Sequence, residues 1–74
     1  MPETRFVAVV KRECETSVMV APVLTALAQH VPLEVWSQDD PAFPSGVDTR
    51  DDRSLETSFR LDIETVPTLS LIHI

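Results

Sequence analysis

Apolar and polar positions divide the chain into short segments of different period. Residues 6–10 form a continuous, valine-rich apolar run bounded by charged residues, which is typical of a strand buried on both faces of a sheet. From residue 15 to residue 30 the apolar positions recur at spacings of three and four. This spacing predicts a helix with a wide apolar face, largely buried. Pro32 ends the pattern.

The next segments have weaker patterns. Residues 33–37 alternate in part between apolar and polar and predict a second strand. Residues 39–51 contain two prolines and the only glycine of the chain, so they predict a loop.

A short helix is predicted over residues 53–60, with Asp51 or Asp52 as its cap and with Leu55 and Phe59, four apart, facing the core. A further extended segment begins at Val66. The order strand–helix–strand–helix–strand predicts an α/β layer with right-handed crossovers.

Composition narrows the range of partners. The 74-residue chain has a formal net charge of −6, and its six basic residues are scattered. Nucleic-acid binding relies on clustered Lys and Arg, and anionic membranes attract positive charge, so we expect neither partner. The longest mostly apolar stretch, residues 18–28, is too short to span a bilayer. The single cysteine excludes an internal disulfide and residues 1–5 lack a signal sequence, which predicts a cytoplasmic protein.

Cys14 is the main candidate for chemistry, because it lies between the first predicted strand and the first predicted helix. Unpaired N–H groups and the macrodipole at a helix N-terminus favour an anion and lower the pKa of a thiol from about 8.5. Lys11 and Arg12 add positive charge there, while Glu13 and Glu15 oppose it. The alternative is a small cysteine buried in the core.

Two segments resemble thioredoxins. Residues 14–24 resemble the active-site turn and helix of that family, in which Cys-x-x-Cys is followed by Met, Ala-Pro and two aliphatic residues. Residues 54–69 resemble the family's helix that leads to a cis-proline, with the proline motif itself at residues 64–69. The resemblance covers somewhat more than half of the chain. It implies a thioredoxin-like α/β fold, here a parallel strand–helix–strand–helix–strand portion without the terminal antiparallel strands and last helix, and a cis Pro67 beside Cys14.

The resemblance implies thiol–disulfide exchange with protein disulfides or thiols through Cys14. Two positions depart from the family. Ser17 replaces the second cysteine, and Ala8 replaces a buried acid six residues before the first. Because a serine cannot resolve a mixed disulfide, two-step dithiol reduction is not expected. The alternative is a redox-inactive module that binds a partner protein.

Lys11, Cys14 and Ser17, together with Thr65-Val66-Pro67, also resemble monothiol glutaredoxins. That resemblance implies that Lys11 holds a carboxylate of glutathione and that the backbone beside Pro67 contacts the tripeptide. Some such proteins bind an iron–sulfur cluster with glutathione, but their longer motif before the cysteine is absent. Neither His30 nor His73 has metal-site spacing with Cys14, so no metal is predicted.

Residues 69–74 resemble the translation of a transposon end used in sequencing libraries. We therefore predict a partial thioredoxin-like domain at 1–68 and a non-native tail at 69–74; the alternative is a genuine apolar strand. A domain that lacks its terminal strands has an open sheet edge and is expected to be marginally folded.

Overall fold

The computed structural model describes residues 4–73. The features discussed above at residues 1–3 and at Ile74, and the side chain of His73, lie outside the described part. The elements in chain order are β1 (Thr4–Val10), α1 (Glu15–Leu27), β2 (Leu33–Ser37), β3 (Thr49–Asp51), α2 (Glu56–Arg60) and β4 (Thr68–His73).

The four strands form one mixed sheet in the order β3-β2-β1-β4. β1 runs parallel to β2, with Val10 opposite Ser37, and β2 runs parallel to β3. β4 runs antiparallel to β1. The protein is therefore a small α/β protein, as the order of elements predicted.

The predicted burial of β1 on both faces is confirmed, because Val7, Ala8, Val9 and Val10 are each at most 2% exposed. Side chains alternate across a strand, so Ala8 and Val10 share one face and the two other valines share the opposite face. The core cluster lies on the Ala8 face, under α1, and consists of Ala8, Val10, Leu24 and Val35, with Val20, Leu33, Phe43 and Val47 packed against it.

The prediction that α1 is largely buried is wrong. Among its residues only Ser17 and Leu24 are buried, while Met19 and Val23 are 71% and 64% exposed. One stripe of α1 contacts the sheet, and no second helix of the described chain covers its other side. The helix also ends at Leu27 rather than His30. Val31 precedes Pro32, and a proline disfavours helical backbone in the residue before it. The chain therefore leaves α1 through tight turns.

The predicted orientation of the second helix is also wrong. Leu55 is 49% exposed and has a φ of 63°, and Phe59 is 87% exposed. Asp52 accepts hydrogen bonds from the backbone N–H groups of Thr57 and Ser58. These bonds turn Thr57 and Ser58 inward and leave Phe59 in solvent.

The predicted loop at 39–51 ends in a strand, β3, which sequence patterning missed because Thr49-Arg50-Asp51 has no apolar residue. The expectation of a parallel third strand after the second helix is corrected as well, since β4 is antiparallel. β3 runs parallel to β2 and β1, so it ends at the same edge of the sheet as the carboxyl end of β1, and the connection through α2 does not return the chain to the opposite edge. The chain therefore stays at the carboxyl end of β1 and enters β4 in the opposite direction, with Thr68 opposite Val9.

Leu69–His73 belongs to β4 and pairs with β1 over its whole described length. Whether this segment is native stays a prediction. Within residues 4–73, no helix has the length and apolar character needed to cross a membrane.

Candidate functional site

The candidate site lies where β1 and β2 end side by side. Because these strands are parallel and in register, the turn after Val10 and the turn after Ser37 emerge at the same edge of the sheet. The N–H of Gln38 donates to the carbonyl of Val10 at 2.9 Å and continues the pairing beyond β2. The turn after β1, residues 11–14, leads directly to the first turn of α1.

Cys14 is the N-cap residue of α1, with extended backbone and a half-buried side chain. Its carbonyl accepts the first helical hydrogen bond, from the N–H of Val18 at 3.0 Å. The sulfur therefore lies at the end of the helix where the backbone N–H groups have no helical partner. The interpretation of Cys14 as a small core cysteine does not fit this position.

Several donors surround the Cys14 sulfur. The backbone N–H of Ser17 lowers the pKa of the thiol most strongly, followed by the Ser17 hydroxyl; partial desolvation opposes them, and the N–H of Thr16 and the charge of Lys11 add to the lowering. Hydrogen bonds to the charged form stabilise that form. The geometry therefore favours a thiolate at Cys14.

Ser17 is fully buried and serves both Cys14 and the turn. A hydroxyl offers one donor and two acceptor lone pairs. The Ser17 hydroxyl lowers the pKa of the Cys14 thiol, and its oxygen accepts the N–H of Lys11 at 3.2 Å. Ser17 thus links the surroundings of the sulfur to the end of β1.

Val66 and Pro67 lie on the other side of the sulfur. The Cys14 thiol donates to the Val66 carbonyl at 3.7 Å, across 52 positions of sequence. The Val66–Pro67 peptide bond is cis, as is Phe43–Pro44. Among the predicted site residues, Cys14, Ser17, Val66 and Pro67 are therefore brought together.

The other two predicted site residues, Lys11 and Thr65, are placed less closely to Cys14. Lys11 is exposed in the turn before Cys14 and acts on the sulfur through its charge. Thr65 is exposed, and its carbonyl accepts a hydrogen bond from the hydroxyl of Thr68. Neither side chain has a described contact with Cys14.

An apolar groove of ≈ 250 Å³ begins at Pro67 and runs between α1 and β4. It is lined by Val20, Val23, Leu24, Pro67, Thr68 and Leu69. Leu69 and Val23 are 51% and 64% exposed, so the groove is an open apolar surface on the Pro67 side of the thiol.

Asp39 is the main residue of the site that sequence reasoning missed. Its carboxylate accepts the N–H of Arg12 at 2.7 Å and the N–H of Glu13 at 2.9 Å, which are the two residues before Cys14. A usable signal was the position of Asp39 just after β2, which is parallel to the strand that precedes the cysteine.

Sequence reasoning also missed a polar cluster on the opposite face of the sheet. Glu34 accepts hydrogen bonds from Arg5 at 3.1 Å and from the indole N–H of Trp36 at 2.6 Å. The guanidinium of Arg50 lies 5.7 Å from the Trp36 ring centroid and pairs with Glu34 at 3.6 Å. Trp36 is therefore packed against its neighbours, and the cluster has no described contact with Cys14.

Within residues 4–73, the His, Cys, Asp and Glu side chains form no group of three or more that could hold a metal ion. No protein-family model, curated protein or solved structure matches the chain. The likeness to thioredoxins and glutaredoxins therefore rests on the residues of the two segments alone.

Proposed function

We propose that this protein is a thioredoxin-like monothiol that exchanges thiols with disulfides through Cys14. The observation that supports this most is the position of the Cys14 sulfur at the N-terminus of α1, with the N–H and hydroxyl of Ser17 as donors that lower the pKa of the thiol. A thiolate is the form that attacks disulfides.

In the proposed step, the Cys14 thiolate attacks one sulfur of a substrate disulfide. A new bond joins Cys14 to that sulfur, the substrate S–S bond breaks, and the other sulfur leaves as a thiolate that takes a proton from water. Ser17 has no thiol to attack the mixed disulfide. A second thiol from solution, such as glutathione, attacks the substrate sulfur of the mixed disulfide and releases the Cys14 thiolate.

The residues around Cys14 have distinct proposed roles. Ser17 stabilises the Cys14 thiolate, and Pro67 and the Val66 backbone orient the substrate chain. The positive charge of Lys11 favours the thiolate and attracts a glutathione carboxylate. The proposed partners are protein thiols and disulfides, and glutathione is the proposed second thiol. The proposal includes neither a metal nor a nucleic acid.

The test is the product formed with oxidised glutathione, measured by intact mass under non-reducing conditions. The wild-type chain should accumulate one glutathione adduct that a thiol reagent removes, because nothing in the described site can resolve it. Cys14→Ser should form none. Ser17→Cys should shed the adduct by forming an intramolecular disulfide, at least tenfold faster than wild type without added thiol. A wild-type chain that forms no adduct faster than its denatured form would contradict the proposal.

The second candidate is a redox-inactive module that holds a partner protein. The open apolar groove beside Pro67, with Leu69 and Val23 half or more exposed, favours it. Retention of a bound partner by Cys14→Ser, together with an ordinary thiol in the wild-type chain, would select this function over the first.

A further inference from the structure

The turn that precedes Cys14 is fixed at every backbone N–H. Lys11 donates to the Ser17 hydroxyl oxygen at 3.2 Å, and Cys14 donates to the Lys11 carbonyl at 3.2 Å. The two N–H groups between them, from Arg12 and Glu13, donate to Oδ1 and Oδ2 of Asp39. One carboxylate on another strand end therefore holds the middle of the turn.

Asp39 is itself held in place. Its Oδ1 also accepts the N–H of Asp40 at 2.8 Å and the hydroxyl of Ser37 at 3.3 Å. Ser37 is fully buried and is paired with Val10 in the parallel register of β1 and β2. The position of the carboxylate is thus set by the sheet and not by a free loop.

We propose that Asp39 is a positioning residue for Cys14, which holds the Arg12–Glu13 turn so that the sulfur lies against the donors of Thr16 and Ser17. This inference rests on the proposed function, since it concerns the same thiol. Asp39 acts only through the turn, because no described contact joins it to the sulfur. Partial burial raises the pKa of Asp39, but the N–H groups of Arg12, Glu13 and Asp40 outweigh it and hold that pKa below its usual range. The carboxylate therefore stays charged at neutral pH.

The sign of one measurement separates positioning from charge. Removing a negative charge near a thiolate makes the thiolate easier to form and lowers the pKa of the thiol. Removing the anchor of the turn displaces the sulfur from its donors and raises that pKa. A rise in the Cys14 pKa on loss of the Asp39 charge can therefore come only from lost position.

The experiment measures the pH midpoint of Cys14 alkylation by iodoacetamide in the full chain, for wild type, Asp39→Ala and Asp39→Asn. Asp40→Asn is the matched control, because it removes the same charge from the adjacent residue, whose carboxylate pairs with the Arg12 side chain at 3.2 Å. We expect higher midpoints in both Asp39 variants, with about threefold less thiolate at pH 7, and a midpoint in Asp40→Asn at or below that of wild type. Midpoints that fall or stay unchanged in the Asp39 variants would overturn the proposal.

A second measurement covers the case in which the alanine variant fails to fold. In the wild-type chain, NMR should show the amide proton shifts of Arg12 and Glu13 changing with the same pH midpoint as the Asp39 carboxyl carbon. Amide shifts with a different midpoint would overturn the proposal. Failure here is distinct from failure of the proposed function. A Cys14 pKa that is not lowered in the wild-type chain contradicts the exchange reaction. A lowered Cys14 pKa that stays unchanged in the Asp39 variants contradicts only the positioning role.

Discussion

The two helices of this protein begin in different ways, and the difference separates a structural helix end from a reactive one. At α2, the buried carboxylate of Asp52 accepts the N–H groups of Thr57 and Ser58, each at 2.9 Å, and the Ser58 hydroxyl at 2.5 Å. At α1, no side chain caps the helix, and the N–H groups of Thr16 and Ser17 act on the Cys14 sulfur instead.

The same backbone donors can therefore serve two purposes. A helix N-terminus stabilises an anion whichever residue supplies it. At α2 a carboxylate occupies this position, and the Ser58 hydroxyl that donates to it also accepts the Gln38 amide at 2.9 Å. At α1 the anion is a thiolate that can leave the donors to form a bond with a substrate.

Removing the fixed anion should have the largest effect. Asp52 is 1% exposed, so Asp52→Ala leaves three buried donors without their acceptor and should lower the free energy of unfolding by about 2–4 kcal/mol. Urea denaturation followed by circular dichroism measures this, with Asp52→Asn expected to lose less because it keeps one acceptor oxygen. Asp51→Ala is the matched control, because Asp51 is exposed and pairs only with Arg53 in the described contacts. Equal losses in Asp51→Ala and Asp52→Ala would refute the role of Asp52.

Changing the donors at α1 should have a smaller effect, on reactivity more than on folding. Ser17→Ala keeps the backbone N–H but removes the hydroxyl that lowers the Cys14 pKa and accepts from the N–H of Lys11. We expect the pH midpoint of alkylation to rise, with about three- to tenfold less thiolate at pH 7. Unfolding should become easier by about 1 kcal/mol because the N–H of Lys11 loses its acceptor. Thr16→Ala is the control, since Thr16 acts through its backbone N–H alone; a matching rise in that variant would contradict the role of the hydroxyl.

β1, β2 and the start of α1 could be predicted from the sequence because their signals are local. The valine run of β1, the partial alternation of β2 and the break before Cys14 each depend on neighbouring residues only. Cys14 stood out because it joins a buried strand to a helix, and the structure places it at the N-cap of α1.

The orientation of α2 could not be predicted, because a buried polar contact decides it. An apolar pair four apart favours a helix with Leu55 and Phe59 inward, but the three hydrogen bonds to Asp52 place Thr57 and Ser58 inward instead. The same reason hid Asp39. Its bonds to Arg12 and Glu13 span 26 or 27 positions and exist only because β1 and β2 end together.

The exposure of α1 was also not readable from its sequence. Apolar spacing of three and four shows which helix faces can be buried, but not how many neighbours are present to bury them. Within the described chain α1 packs on one sheet face, so Met19 and Val23 remain in solvent.

Activation of Cys14 by the N-terminus of α1 is the central claim of this account, and the pH dependence of Cys14 alkylation tests it most directly. The rate should be measured in the folded chain, confirmed by circular dichroism, and in the same chain in concentrated urea. Because the folded-state pKa is lowered, the reactive thiolate should persist in the folded chain at pH values where the denatured chain is already protonated, and it should be lost only as the pH falls through the lower midpoint. A folded midpoint well below the denatured one supports the account; a folded midpoint equal to or above it would contradict it.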